Sequence, residues 1–210
     1  MAEYNIRRAV AGDLAFLEDM LVEAANAPAR VRGRAETLAD PGIGHYIDGW
    51  PRETDLGLVA TEAGGRPIGA VWLRYFTGTE PGHGFVRADI PELAIGVVAD
   101  QRGRGIGRAL LRAIAAMASD QGTGQISLSV EKDNPARSLY RSEGFRTTTS
   151  RDHAQTMVLD LTRRQGPHTG KREHRDTFPR SGAVGGSATG AGGRARSVAV
   201  RPDKHEEVPR

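Results

Sequence analysis

The chain has 210 residues, no cysteine, and 29 Lys and Arg against 26 Asp and Glu. The missing cysteine excludes disulfides, thiolate metal sites and a cysteine nucleophile, and no apolar run approaches the ~18 residues of a membrane span. The formal charge is uneven: residues 163–210 carry +6 and residues 1–162 carry −3, so an acidic domain precedes a basic tail. The first ten residues lack the basic-then-apolar layout of a secretory signal, and the expectation is a soluble cytoplasmic protein.

Residues 4–10 (YNIRRAV) read as a first strand. Gly12-Asp13 then opens a helix, with Asp13 as its N-cap and Leu14, Leu17, Met20, Leu21 and Ala24 on the apolar side. Residues 26–52 are irregular, broken by Pro28, Pro41, Gly42, Gly44 and Pro51, with a short helix expected around His45–Trp50. Residues 56–61 and 67–76 are strand-like, joined by a hairpin turn at 62–66. The polar, glycine-rich 77–86 (TGTEPGHGFV) reads as a flexible loop.

The most informative stretch follows. Leu93–Ala99 is an apolar run long enough for a buried strand. Next comes a loop with Gly103, Gly105 and Gly107 set among Arg102, Arg104 and Arg108. After it Ile106, Ala109, Leu110, Ala113, Ile114 and Met117 recur with the 3.6-residue period of a helix. Strand, glycine turn and helix N-terminus together present bare backbone amides suited to phosphate oxygens. A Walker A loop is excluded, because Arg108-Ala109 stands where Lys-Ser/Thr belongs, and the dinucleotide G-x-G-x-x-G/A spacing fails as well.

Farther on, Ile126–Val130 alternates as a half-buried strand. Asn134-Pro135 starts a short helix carrying Ala136, Leu139 and Tyr140 inward, and Gly144 ends it. Residues 147–149 and 156–161 form a closing hairpin. From Arg163 periodicity stops, and the Gly-, Ser- and charge-rich tail is expected to be disordered. It reads as a solvated extension; its basic charge is the one feature here suited to nucleic acid or an acidic partner. Two domains in sequence are therefore expected, 1–162 and 163–210.

Arg102-x-x-Gly105-x-Gly107 resembles the R/Q-x-x-G-x-G/A loop of the GNAT family of N-acetyltransferases. EKDNPARSLYRSEGF, residues 131–145, resembles that family's N-x-x-(A/S)-x-x-x-Y-x-x-x-G-F motif. The element order also agrees over about residues 4–161. The resemblance implies an α/β fold: a mixed, largely antiparallel central sheet flanked by helices. It implies acetyl-coenzyme A as co-substrate, with its pyrophosphate on the amides of Gly103, Arg104, Gly105, Ile106, Gly107 and Arg108, helped by Arg102. The pantetheine arm would pair with the edge of Ile95, Gly96 and Val97, and Asn134 would hydrogen-bond it. Gly96 inside its strand suggests a bulge or a close backbone approach.

By the same resemblance Tyr140 lies near the thioester sulfur as general acid. Glu92, opening the central strand, is the base that takes the amine's proton, with His83 a second choice. For Tyr140 the other reading is a core aromatic, for Asn134 a pure cap, and for Glu92 a strand-end carboxylate paired with an arginine. The six histidines make no metal-ligand spacing, so no metal is expected. The acceptor pocket would draw on His45, Tyr46, Trp50, Trp72 and Tyr75, most of them as packing residues. The favoured activity is acetyl transfer by direct attack to a primary amine of a small molecule. Transfer to a protein N-terminus or lysine, and a non-catalytic acyl-coenzyme A-binding module, stay open, as does a homodimer.

Overall fold

The structure, a computed structural model, describes residues 4–26 and 32–162. The expectations for the tail from Arg163 onward, and for Pro28, lie outside the described residues. The strands are β1 (Tyr4–Arg8), β2 (Leu56–Glu62), β3 (Pro67–Arg74), β4 (Glu92–Val97), β5 (Gln125–Glu131), β6 (Arg146–Ser150) and β7 (Ala154–Asp160). The helices are α1 (Leu14–Ala25), α2 (Arg34–Ala39), α3 (Pro41–Gly44), α4 (Ile106–Asp120) and α5 (Ala136–Ser142). One sheet runs β1-β2-β3-β4-β5-β7-β6. Every neighbouring pair is antiparallel except β4 and β5, which are linked by the α4 crossover and meet at one residue pair, Glu92 opposite Ser127. This is the mixed, largely antiparallel α/β fold that the sequence led us to expect.

Side-chain alternation along each strand divides the core between the two faces of the sheet. Leu93 joins Ile106, Leu110, Ile114, Leu128 and Tyr140 under α4. Ala94 joins Leu17, Met20, Tyr46, Trp50 and Trp72 on the α1 side. Gly96 belongs to that second face: a Cβ there would lie 2.5 Å from the Met20 carbonyl oxygen. The β3–β4 register is unbroken from Gly69–Val97 to Arg74–Glu92. The bulge is therefore absent, and the close backbone approach at Gly96 is made by α1.

Two further expectations change. Asp13 does not cap α1 with its side chain; its carboxylate turns back to accept from Val10 N (2.8 Å) and from Arg7 (2.7 Å). The short helix at His45–Trp50 is replaced by α2, α3 and a run of turns. Asp40 caps α3 by accepting from Gly42 N, with Pro41 in the first turn. Beyond it, Arg74 takes the carbonyls of His45 (2.8 Å) and Asp48 (3.0 Å), which a continuing helix would need for itself. Arg74 and its partner Asp55 are almost wholly buried, 1% and 0% exposed at 2.5 Å, so the 45–55 segment is pinned to β3 by a buried ion pair.

Candidate active site

Where β4 and β5 part, a cavity of about 930 Å³ opens between them. The single pairing at Glu92–Ser127 leaves the rest of that edge of β4 without a strand partner. Direction follows from alternation: Val98 N donates to Ile68 O of β3, so Val97, one residue back, turns its polar groups the other way. Val97 O indeed accepts from Arg102 Nε at 3.1 Å on the β5 side. Ile95 shares that direction, so its N–H and C=O face the cavity, which Ile95, Gly96 and Val97 line.

The loop after β4 supplies the second wall. Gly103 and Gly105 hold φ of 76° and 84°, which side chains with a Cβ rarely adopt. These turns aim the start of α4 at the cavity, and among the described residues the amides of 103–108 have no hydrogen-bond acceptor. Gly107 has a different basis. It sits in the first turn of α4, and a Cβ there would meet nothing closer than Leu139 Cδ2 at 3.7 Å. Packing does not require glycine at that position, so its smallness leaves room in the cavity it lines.

The arginines of the loop are already occupied. Arg102 pairs with Glu23 of α1, Arg104 donates to Gln101 (2.7 Å), and Arg108 pairs with Glu143. Main chain, not guanidinium, therefore makes this wall. Every catalytic and cofactor-binding candidate named from the sequence lines the cavity except Arg104; of the five side chains expected around the acceptor, Tyr46 lines it and His45, Trp50, Trp72 and Tyr75 do not.

Across the cavity, Asn134 Oδ1 accepts from Ala136 N at 2.9 Å, closing the turn into α5 and leaving its Nδ2 without a partner among the described residues. Tyr140 is 8% exposed and packs its ring against Phe145. Burial pushes its hydroxyl up to about 12, so it stays protonated at neutral pH. That hydroxyl makes no hydrogen bond among the described residues, although Tyr140 lines the cavity.

Glu92 stands at the other end. It is 2% exposed, and its carboxyl faces no arginine, because Arg74 opposite it in β3 is held by Asp55. Oε1 accepts from the Tyr46 hydroxyl (2.6 Å) and from Gly84 N (2.7 Å). Oε2 is buried with no hydrogen-bond partner among the described residues, as is Ser127 Oγ on the facing strand. Burial raises the carboxyl to about 7, against the opposing pull of the Tyr46 and Gly84 hydrogen bonds. A carboxyl poised there can take and give a proton at physiological pH.

Residues that sequence reasoning undervalued complete this end. Tyr46, named among the aromatics of the acceptor pocket without a role of its own, is a direct partner of Glu92. Gly82 and Gly84 belong to the segment read as a flexible loop, yet they fit closely: added Cβ atoms would lie 2.2 Å from Glu92 Oε2 and 2.5 Å from the Leu128 carbonyl carbon. His83, between them, stacks on Tyr46 with ring centroids 6.0 Å apart. Trp50 and Trp72 are core residues, and Trp72 Nε1 donates to Tyr46 O at 2.9 Å. No local signal marks Tyr46, since its role depends on a residue 46 positions away.

Among the described residues no cluster of three or more His, Asp or Glu is arranged to hold a metal ion, and no helix is long and apolar enough to cross a membrane. Comparison with known proteins adds the following. Residues 13–145 match the Acetyltransferase (GNAT) family. A mycothiol acetyltransferase of Pseudarthrobacter chlorophenolicus is 38% identical over 89 residues, which is 42% of this chain and 26% of that protein. Another from Clavibacter sepedonicus is 37% identical over 90 residues, 42% of this chain and 26% of that protein. The match thus spans about a quarter of the length of these curated relatives. An N-acetyltransferase structure from Staphylococcus aureus Mu50 superposes with a TM-score of 0.56 at 19% identity, covering 76% of this chain and 99% of that one. An N-acetyltransferase from Kribbella flavida gives 0.56 at 19%, covering 75% and 97%. The two solved structures share the fold, and the match over 13–145 carries the assignment: this chain belongs to the GNAT family of acetyltransferases, acyl-transferring enzymes that use acetyl-coenzyme A.

Proposed function

We propose that residues 1–162 form the catalytic unit, and that it moves the acetyl group of acetyl-coenzyme A to the primary amine of a small molecule. The observation that carries this is the shared cavity: bare loop amides, a half-open strand edge, Tyr140 and Glu92 all line one space of about 930 Å³. The amides of 103–108 hold the pyrophosphate. The β4 edge at Ile95–Val97 takes the pantetheine arm, and Asn134 Nδ2 supplies one more donor.

The reaction is direct attack. Glu92 removes a proton from the ammonium, and the freed nitrogen adds to the thioester carbonyl. The C–S bond then breaks as the amide forms, and the second proton shed by the nitrogen passes to the departing sulfur, so that coenzyme A leaves as the thiol. Tyr140 donates a hydrogen bond to that sulfur. With an ordinary thiol at ~8.5 and Tyr140 pushed up to about 12, stabilisation by the hydrogen bond outweighs proton transfer from the tyrosine. The small-molecule acceptor is supported by the acceptor end, where α3, the 82–84 loop and Tyr46 converge on Glu92. The curated relatives, named as mycothiol acetyltransferases, support the same reading.

The test is release of free thiol from acetyl-coenzyme A by the full chain, measured against a panel of small primary amines and of peptides with free N-termini and lysines. Amine-dependent thiol release is the expected result. Turnover confined to the peptides would replace the acceptor class, and tight acetyl-coenzyme A binding without any turnover would leave a non-catalytic binding module.

A further inference from the structure

Glu92 is a base only if its carboxyl is held still, kept ionisable and offered by a defined oxygen. Three separate elements meet at one hydroxyl to do this. Tyr46 Oη donates to Glu92 Oε1 at 2.6 Å and accepts from His83 N at 2.7 Å. Gly84 N closes the triangle by donating to the same Oε1 at 2.7 Å. The backbone that carries Tyr46 is itself fixed from β3, through Trp72 Nε1 on Tyr46 O and Arg74 on His45 O. Oε1 is thereby saturated, while Oε2 is left without a partner among the described residues.

We propose that Tyr46 is a positioning residue of this enzyme: its hydroxyl ties one oxygen of Glu92 to the 82–84 loop and leaves Oε2 as the oxygen that receives the acceptor's proton. The inference rests on Glu92 being the base. It also gives the glycines a purpose. Side chains at 82 or 84 would strike the carboxyl or the β5 backbone, so the loop can close over Glu92 only because both positions are glycine.

The hydrogen bond acts on the charged form of Glu92, so its loss disfavours the carboxylate. The ionisable groups around the carboxyl are Tyr46, which donates to it, with His45 from the turn and His83 from the loop against the Tyr46 ring; Arg74 of β3 is turned to its counterion Asp55. Burial, then the nearby His83 and Arg74, holds His45 below its ordinary value and therefore neutral at pH 7.

The experiment titrates the Glu92 carboxyl by carbon-13 NMR in the full chain, with Glu92→Gln identifying the signal. The wild-type midpoint is expected near 7. In Tyr46→Phe it should rise by about one pH unit, and with 3-fluorotyrosine at position 46, a stronger donor of nearly the same shape, it should fall. The ascending limb of thiol release from acetyl-coenzyme A with an active amine should move in the same directions. Turnover below that limb should drop roughly tenfold in Tyr46→Phe while the KM for acetyl-coenzyme A holds. Coincident midpoints in all three proteins overturn the proposal, as does a uniform loss of turnover with an unmoved limb. If Tyr46→Phe fails to fold, the fluorinated protein against wild type decides alone. Full turnover in Glu92→Gln would instead overturn the base reading, an outcome separate from the titration.

Discussion

The two ends of the cavity are made of different material. The end formed by β4, the 103–108 loop and the start of α4 presents main chain, with its arginines already paired to Glu23 and Glu143. The end around Glu92 presents side chains, with a buried carboxyl, a tyrosine and a glycine loop held by short hydrogen bonds. The first end requires only a local backbone shape, which neighbouring residues can specify. The second end requires residues 46, 84 and 92 to converge, and that convergence depends on the sheet and on the buried Arg74–Asp55 pair. Substitutions at the two ends should therefore fail in different ways.

The largest effect is expected at Glu92. Glu92→Gln should lower amine-dependent turnover by on the order of 10²–10⁴-fold. Acetyl-coenzyme A affinity by calorimetry should hardly change, because the bare amides lie at the other end. The same variant should be more stable. A carboxyl near 7 when folded and near its ordinary 4.5 when unfolded binds more protons in the folded state. Stability therefore falls as pH rises from about 4.5 to about 7, by about 3 kcal/mol in all. Urea unfolding should show the slope in wild type and a flatter profile in Glu92→Gln. A flat wild-type profile would mean that Glu92 is not strained by burial.

Arg74→Met should come next, and should act on the fold before the chemistry. It strands Asp55 and two carbonyls in the core, a loss of about 3–5 kcal/mol. Arg102→Ala breaks an ion pair of similar geometry whose members are 55% and 39% exposed, and should cost less than about 1 kcal/mol. Equal losses in urea unfolding would dissolve the contrast between a pinned acceptor end and a self-sufficient loop.

Between these in chemistry stands Tyr140. Tyr140→Phe should slow turnover on the order of 10²-fold with little change in stability, since the hydroxyl has no partner among the described residues to lose. Unchanged turnover would make Tyr140 a core aromatic.

The same contrast explains what could be read in advance. The 3.6-residue period of α4, the alternation of β5 and the glycine spacing of the loop are all local patterns, so the elements, their order along the chain and the main-chain wall were legible in the sequence, while the order of strands across the sheet was not. Gly96 was legible as an anomaly but not in its cause, because the Met20 carbonyl that excludes a side chain lies on another element. The 26–52 segment was not legible. Its shape is dictated by Arg74 pulling carbonyls out of helical pairing, a tertiary contact that no window of residues 40–50 contains. Tyr46 was visible only as an aromatic, because its function arises from a hydroxyl meeting Glu92 across the sheet.

Gly107 gives the smallest effect and the finest test of the main-chain end. A glycine within the first turn of a helix is less favourable than alanine by up to about 1 kcal/mol, and here no packing contact forbids the methyl group. The loop pattern that this chain resembles accepts alanine here as well as glycine, so a methyl group at 107 is compatible with a pyrophosphate on the loop amides. Gly107→Ala should then melt slightly higher and bind acetyl-coenzyme A with unchanged affinity. Gly105→Ala is the matched control: its positive φ of 84° penalises alanine and distorts the turn that bares the amides, so that variant should lose stability as well as affinity. Equal losses of affinity in the two variants, measured by calorimetry, would show that the loop needs both positions bare and not only the backbone shape that Gly105 sets.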